Sequence, residues 1–340
     1  MLLKKLEGYF LKKKIMQPKV SIIITNYNGK RYLERCIESL KDNTFKDFEM
    51  IIVDNGSADD SINFIKRKYP EIKLVEFNSN HGLSIASNKG ARLAQGEYLF
   101  FYNNDTIADK EMLNELVRVA DSDSHIGVCG CKTLTYSGDQ VINSGVEMDI
   151  FGYPYGRGRT FYVDAAIFIK KDLLEEIGGF DEKMFLYCED RDLCWRVWLH
   201  GYKIAVVPQA IFKHDSFCLV DGDKFTTNPR RRFMNETFTI RMLLKNYSAF
   251  ILFLIMPLYL FINLCEILIY FIKGKPGFVF NTYLTAYYWN LKNLKDTLNK
   301  RKMIQKTRRV SDIKIMRNLY KFSGKALLFT KIGIPKVALI

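Results

Sequence analysis

Two short acidic stretches hold residue types that could do chemistry. The first closes the run Phe100-Phe101-Tyr102-Asn103-Asn104-Asp105-Thr106. The apolar stretch from Tyr98 to Tyr102 predicts a buried strand, and it stops abruptly at two amides and a carboxylate. A carboxylate at the carboxyl end of a strand in an α/β sheet lies at the crevice where such folds bind ligands. One aspartate with amide neighbours suits a hard divalent cation that keeps coordination sites free for phosphate oxygens. The plainer alternative is a strand-to-helix turn, with Asp105 or Thr106 capping a helix that starts near Lys110. The second stretch is Glu189-Asp190-Arg191-Asp192, which opens a helix running to His200. Acidic residues in a first helical turn are favoured by the helix dipole, so helix-start electrostatics alone would account for this group.

The elements that must position these residues follow a regular rhythm. Val20 to Thr25 is a β-branched strand ending in the turn Asn26-Tyr27-Asn28-Gly29, and Lys30 to Leu40 has helical spacing. Met50 to Val53 is a strand ending in Asp54-Asn55-Gly56-Ser57, before a helix over 58–69. Ile72 to Phe77 is a third strand, followed by Asn80-His81-Gly82, a helix from Ser84 to Ala94, and the Tyr98 strand. Strand and helix alternating at this spacing predict βαβ units and a parallel sheet. Turns rich in Asn and Asp then share one sheet edge and form a polar cleft. Asp54 could accept from an N–H such as a base imide there; the alternative is a helix cap. Further on, Tyr162 to Lys170 and Lys203 to Val207 are expected strands, separated by a short helix from Lys171 to Ile177 and the Glu189 helix.

Composition bounds the partners. Fifty-one basic and 37 acidic residues give a formal charge of +14, and 48% hydrophobic residues are ample for a core. The charge sits at the ends. Residues 1–19 hold six Lys against one Glu, and residues 292–317 hold ten Lys or Arg against two Asp. Basic ends beside apolar segments suggest an anionic membrane surface; no zinc-finger or recognition-helix signature supports nucleic acid. Seven scattered Cys without a CxxC read as reduced thiols of a cytosolic chain. The N-terminus lacks the unbroken apolar core of a signal peptide.

The motifs Ser21 to Gly29, Val53 to Ser57, Asn80 to Leu83, Asn88 to Gly90, Asn103 to Thr106, Gly178 to Glu182, Glu189 to Arg196 and His200 to Tyr202 occur in an order and spacing that resembles family 2 inverting glycosyltransferases. The subgroup most resembled includes rhamnosyltransferases and O-antigen or cell-surface glycan enzymes. The resemblance implies an α/β GT-A nucleotide-diphospho-sugar transferase fold, a Rossmann-like mixed sheet. It implies roles as well. Asp54 would contact the nucleobase, Thr25 and Asn26 the nucleoside, and Asn88, Asn104 and Arg196 the nucleotide sugar, Arg196 pairing with phosphate or with Asp192. Asp105 and His214 would hold Mg2+ or Mn2+; Asn103 replaces the first carboxylate of the family's DxD-type motif. Asp190 would be the general base towards an acceptor hydroxyl, and Glu189 would assist it. The implied donor is a UDP- or dTDP-sugar and the acceptor a glycan or lipid-linked glycan. Alternatives are a polyprenyl-phosphate sugar synthase of the same fold and a non-catalytic glycan- or nucleotide-binding scaffold.

Four regions follow: a basic amphipathic segment at 1–18, a catalytic domain at 19–240, hydrophobic membrane-associated helices at 245–291, and a basic tail at 292–340. Ala249 to Ile272 is long enough to span a bilayer, but Asn263 and Glu266 interrupt it and Pro257 lies within it. Positive segments stay inside, so both flanks belong on the cytoplasmic face. A re-entrant or interfacial hairpin bent at Pro257 fits that better than a single span; the alternative is an interface in a homo-oligomer. Glycines 152, 156 and 158, among Tyr153, Tyr155 and Arg157, form a loop that could close over an acceptor.

Overall fold

The run Val-Ser-Ile-Ile-Ile-Thr-Asn forms the strand Val20–Asn26 (β1), almost wholly buried, as expected of a parallel strand covered on both faces. β1 pairs in parallel with Phe48–Asp54 (β2) on one side, and β2 with Lys73–Glu76 (β3). Its other side pairs in parallel with Tyr98–Asn103 (β4). Helices Lys30–Lys41 (α1), Ser61–Lys68 (α2) and Leu83–Leu93 (α3) make the crossovers. This computed structural model describes residues 17–155, 160–215, 220–221, 224–333 and 335–337. The amphipathic reading of Met1 to Met16, and positions 156–158 of the aromatic loop, lie outside them.

Beyond β4 the sheet changes sense. Thr106–Ala108 (β5) precedes helix Met112–Ser122 (α4), strand Ile126–Thr135 (β6) and the short Val141–Asn143 (β7). Ala166–Lys170 (β8) inserts antiparallel between β4 and β6. After Lys171–Glu176 (α5) and Glu189–Leu199 (α6), strand Lys203–His214 (β9) runs parallel to β6 and antiparallel to β5. The order is β3-β2-β1-β4-β8-β6-β9-β5, with β7 on β6. β8 starts later than the expected Tyr162, because Ala165 adopts φ 58 and turns the chain just before it. β9 runs past Pro208, where a strand end was expected. Its register against β6 jumps from Cys131↔Val207 to Lys132↔Ile211, so the proline sits in a bulge that asks no ladder hydrogen bond of it.

Side chains alternate across β1. Ile22 and Ile24 join Leu33, Ile37 and Phe100 on one face, and Ile23 joins Val53, Phe101 and Trp195 on the other. A helical half covers the second face: Pro229–Asn246 (α7), Ala249–Ile272 (α8), Pro276–Val279 (α9), a π-helical turn at Phe280–Leu284, Thr285–Lys292 (α10), Leu294–Thr307 (α11), Asp312–Met316 (α12) and Gly324–Ile332 (α13). Val220–Asp221 (β10), Lys224–Thr227 (β11) and Lys336–Val337 (β12) form a small separate sheet. The basic segment expected as a tail is folded back. Arg241 of α7 donates to Asp296 and Thr297 of α11, and the amides of Arg309 and Val310 donate to the Leu199 carbonyl at 2.8 and 3.1 Å. α8 is one helix through Pro257 rather than a bent hairpin.

A buried ionic network joins the halves. Asp181 accepts from Arg241 Nε at 2.7 Å and Nη2 at 3.0 Å and from Lys245, while Lys245 also reaches Asp192 at 3.0 Å. Burial works against the Asp181 charge, but Lys245 and Arg241 outweigh it and hold the carboxyl well below its ordinary value. Its contribution is therefore present above the ordinary carboxylate pKa and lost as pH falls towards the depressed one. Asp181→Asn is expected to lower unfolding stability by about 3 kcal/mol at neutral pH and to flatten the acid limb of a plot of urea-unfolding free energy against pH.

Candidate active site

Register brings the first site residues together. β1 sets Asn26 opposite Asp54 and Thr25 opposite Asn103, so three strand ends meet at one edge. Asp54 is fully buried. Its Oδ2 accepts from Asn26 Nδ2 at 2.8 Å and its Oδ1 from the Ser57 amide at 2.8 Å. Asn26 Oδ1 in turn accepts from Asn104 Nδ2 at 2.6 Å. A Cβ on Gly29 would come within 2.0 Å of Asn104 Nδ2 and 2.5 Å of Asn26 Oδ1; the glycine is what lets helix α1 start this close.

Two adjoining cavities open along this edge. One, of about 260 Å3, is lined by Thr25, Asn26, Asn55, Asn80, Asn104 and Asp105, among others. The next, of about 150 Å3, is lined by Ser87, Phe101, Ala165, Tyr187, Glu189 and Asp190, among others. Thr25, Leu83, Asn103 and Leu186 border both. Asp105 and Asp190 therefore belong to one cleft, of the size that takes a small molecule.

At the first end, the antiparallel pairing of Thr106 with His214 brings Asp105 Oδ1 to 3.1 Å from His214 Nε2. Both side chains are partly exposed. An oxygen and an imidazole nitrogen this close suit Mg2+ or, better, Mn2+, with remaining positions left to phosphate oxygens and water. Among the described residues no three His, Cys, Asp or Glu side chains converge to make a closed metal cage. Asp105 and His214 alone would leave most of a cation's coordination to other ligands.

At the other end, Asp190 opens into the cavity while its Oδ1 accepts the Arg191 amide at 2.7 Å. Burial first, then the neighbouring Glu189 and Asp164, push its carboxyl up to about 8, against the pull of Arg191. Glu189 is more deeply buried, its Oε2 accepts the Cys188 amide at 2.8 Å, and burial raises its carboxyl too. A carboxylate with a pKa near working pH is matched to proton abstraction.

Three expected contacts lie elsewhere. Asp54 has both oxygens committed inside the protein and supports Asn26 rather than facing a base. Asn88 does not line the cleft: its amide donates to the Phe180 carbonyl and accepts the Phe180 amide, both at 2.9 Å, clamping that turn. Arg196 is buried, with Nε on Asp192 at 3.0 Å and Nη1 on the Ile177 carbonyl at 2.7 Å, and so reaches no phosphate. In each case the side chain is spent on holding a turn or helix.

Other residues enter that sequence reasoning missed. Arg191 lies buried under Asp190, donating to the Gly152 and Tyr187 carbonyls at 2.7 Å; its place after Asp190 in the acidic motif was the one available signal. Arg230 stacks over Phe185 at 5.9 Å and Arg231 over Tyr187 at 5.3 Å, on the cleft's rim. Among the described residues no carboxylate pairs with either arginine. Tyr187 itself holds φ 85.

Residues 21–178 match the model of Glycosyl transferase family 2. The chain is 27% identical over 224 residues to the O-antigen biosynthesis protein RfbC of Myxococcus xanthus, covering 58% of this chain and 17% of that protein. It is also 27% identical over 194 residues to an uncharacterized glycosyltransferase of Nostoc, covering 54% and 57%. The aligned regions thus span less than two thirds of those relatives. Among solved structures it resembles S. aureus TarS in complex with UDP-GlcNAc, with a TM-score of 0.52, 19% identity and 68% of each chain covered. It also resembles a mannosyltransferase of Pyrobaculum calidifontis in complex with GDP-Man and Mn2+, with a TM-score of 0.51, 17% identity and 90% and 92% covered. The mixed, curled sheet is that of GT-A transferases.

Gly29→Ala is expected to push Asn104 off Asn26 and weaken nucleoside-diphosphate binding roughly tenfold or more by calorimetry, with an unchanged circular dichroism spectrum.

Proposed function

We propose, from the premise that residues 21–178 belong to glycosyl transferase family 2, that this chain transfers a sugar from a UDP- or dTDP-sugar to a hydroxyl of a lipid-linked or cell-surface glycan, with inversion. The chain works at the cytoplasmic face of a membrane. The observation that carries the reading is the shared wall of Thr25, Leu83, Asn103 and Leu186, which puts Asp105 and Asp190 in one cleft.

The nucleoside lies along Thr25, Asn26, Asn55 and Asn80, which offer amide and hydroxyl groups to a base and ribose. Asn104, locked by Asn26, presents a fixed polar wall to the diphosphate. Asp105 and His214 would hold Mg2+ or Mn2+, which would neutralise the charge that grows on the departing nucleoside diphosphate. Arg231 adds a positive charge at the rim of the adjoining Asp190 cavity, where Tyr187 keeps its guanidinium in place. Asp190 accepts the proton of the acceptor hydroxyl as that oxygen attacks the anomeric carbon from the face opposite the leaving group. One displacement inverts the configuration and leaves the proton on Asp190 Oδ. Burial raises the Glu189 carboxyl as well, and its closeness to Asp190 helps keep that base's proton affinity high.

Asp190→Asn is expected to lower kcat with a hydroxyl acceptor by 10²–10⁴-fold, measured by release of nucleoside diphosphate. A phosphate acceptor is already an anion, so retained turnover in this variant would move the assignment to a polyprenyl-phosphate sugar synthase. The base works deprotonated. The wild-type rate should therefore rise with pH through about 8, and this limb should vanish in Asp190→Asn. Arg231→Gln should raise the KM for donor roughly tenfold while leaving that pH limb in place.

A further inference from the structure

α8 is 24 residues long, about 36 Å at 1.5 Å per residue, with a mean hydropathy of 2.3. Its two interrupting polar residues do not face outward. Asn263 Nδ2 donates to Glu236 of α7 at 3.1 Å, and Asn263 Oδ1 accepts from Lys325 Nζ at 2.9 Å. Glu266 pairs with Arg232 and with Lys325. Two carboxylates, Glu236 and Glu266, thus meet two cations, Arg232 and Lys325, in a buried and formally neutral cluster. Tyr153 and Tyr259 both donate to Glu236 Oε2, at 2.6 and 2.8 Å.

This inner face is covered from end to end. The Ser248 amide donates to Asp312 at 2.8 Å at the start of α8; Ile255 and Tyr259 belong to the main core; Tyr270 packs at a tilt against Phe278, 4.7 Å between ring centroids, near its end. The opposite face is bare. Phe253 is 75% exposed, Phe261 63% and Ile272 86%, with Leu258, Leu264 and Leu268 between them. Phe271 meets Phe280 at 6.3 Å, and the bare stripe continues along Phe280, Leu284, Tyr288 and Leu291 at helical spacing. Lys273 and Lys275 follow the first stripe, and Lys292 and Lys295 the second. All four are exposed, and among the described residues none is in an ion pair.

We infer that α8 does not cross the bilayer but lies flat in one leaflet, with Phe253, Phe261, Leu268 and Phe280 among the acyl chains and the four lysines on anionic headgroups. This deepens, and rests on, the membrane reading above. A crossing helix would carry the body packed along its whole length, including the Glu236–Lys325 cluster, into hydrocarbon about 30 Å thick. A helix with one sealed polar side and one bare apolar side is satisfied in the interface plane. The lysine rim selects a lipid surface over a second copy of this chain, whose equivalent face would repel it.

The test uses the full chain with Cys218 and Cys265 replaced by Ser and a fluorescent thiol probe at Phe253→Cys, Phe261→Cys or Ile272→Cys. Each labelled protein is bound to phosphatidylcholine vesicles containing phosphatidylglycerol, and the probe's depth is read with lipids quenched at known depths. All three probes should lie at one shallow depth, about 5–10 Å below the headgroups. Leaving out phosphatidylglycerol should weaken binding at least roughly tenfold. A deep Phe261 probe with Phe253 and Ile272 towards opposite surfaces would overturn the in-plane inference and leave membrane association standing. Absence of vesicle binding would overturn both. Probes that become shielded only as protein concentration rises, with a dimer in sedimentation, would assign this face to a second copy instead.

Discussion

Everything in the cleft depends on one buried carboxylate. Asp54 accepts from Asn26 and from the Ser57 amide, and Asn26 passes the constraint to Asn104. A fully buried carboxylate is costly unless its lone pairs are met, and here the strand register meets them. The same hydrogen bonds that satisfy Asp54 therefore lock the ends of β1, β2 and β4 in one arrangement. Slipping β1 against β2 by a residue would leave that charge unpaired and turn the isoleucines of β1 to the wrong faces. The cleft's polar wall is rigid because its foundation cannot move cheaply.

The same logic recurs on the helical side. Asp181 with Arg241 and Lys245, and Glu236 with Arg232 and Lys325, are two buried ionic clusters on α7. Arg191 reaches the same helix at Asn235 and ties Gly152 and Tyr187 beneath the Asp190 cavity. The Glu236 cluster takes members from α8 and from α13 and reaches Tyr153 in the loop that carries Gly152. The sheet-bearing half and the apolar helix are thus each tied to α7 through buried charges. Losing one member strands its partner in a low dielectric, a penalty far larger than any exposed ion pair contributes.

Much of this was legible along the chain. Runs of β-branched residues closing in Asn and Asp mark the parallel strands, since strands buried on both faces read as continuous apolar runs and amides and carboxylates serve turns. Asp105, just past the end of β4, was visible as a candidate for that reason, and Asp190 as an acidic residue in the first turn of a helix. Asp54, Asn88 and Arg196 looked equivalent to them in sequence, yet each is spent on scaffolding. A side chain's type states what it can bond to; its burial decides whether any bonding capacity remains for a ligand.

The helix at 249–272 makes the same division. Its length and hydropathy, the basic residues flanking it and the polar interruptions at Asn263 and Glu266 are properties of the sequence alone, as is the alternation that builds the sheet. Which way Asn263 and Glu266 face depends on Lys325 and Arg232, brought beside them from either direction in the chain. The pairing of Asp105 with His214, 109 residues apart, has the same origin. Local periodicity is written in neighbouring residues, whereas a charge's partner is chosen by whatever the fold delivers within a few ångströms, and only the tertiary structure holds that information.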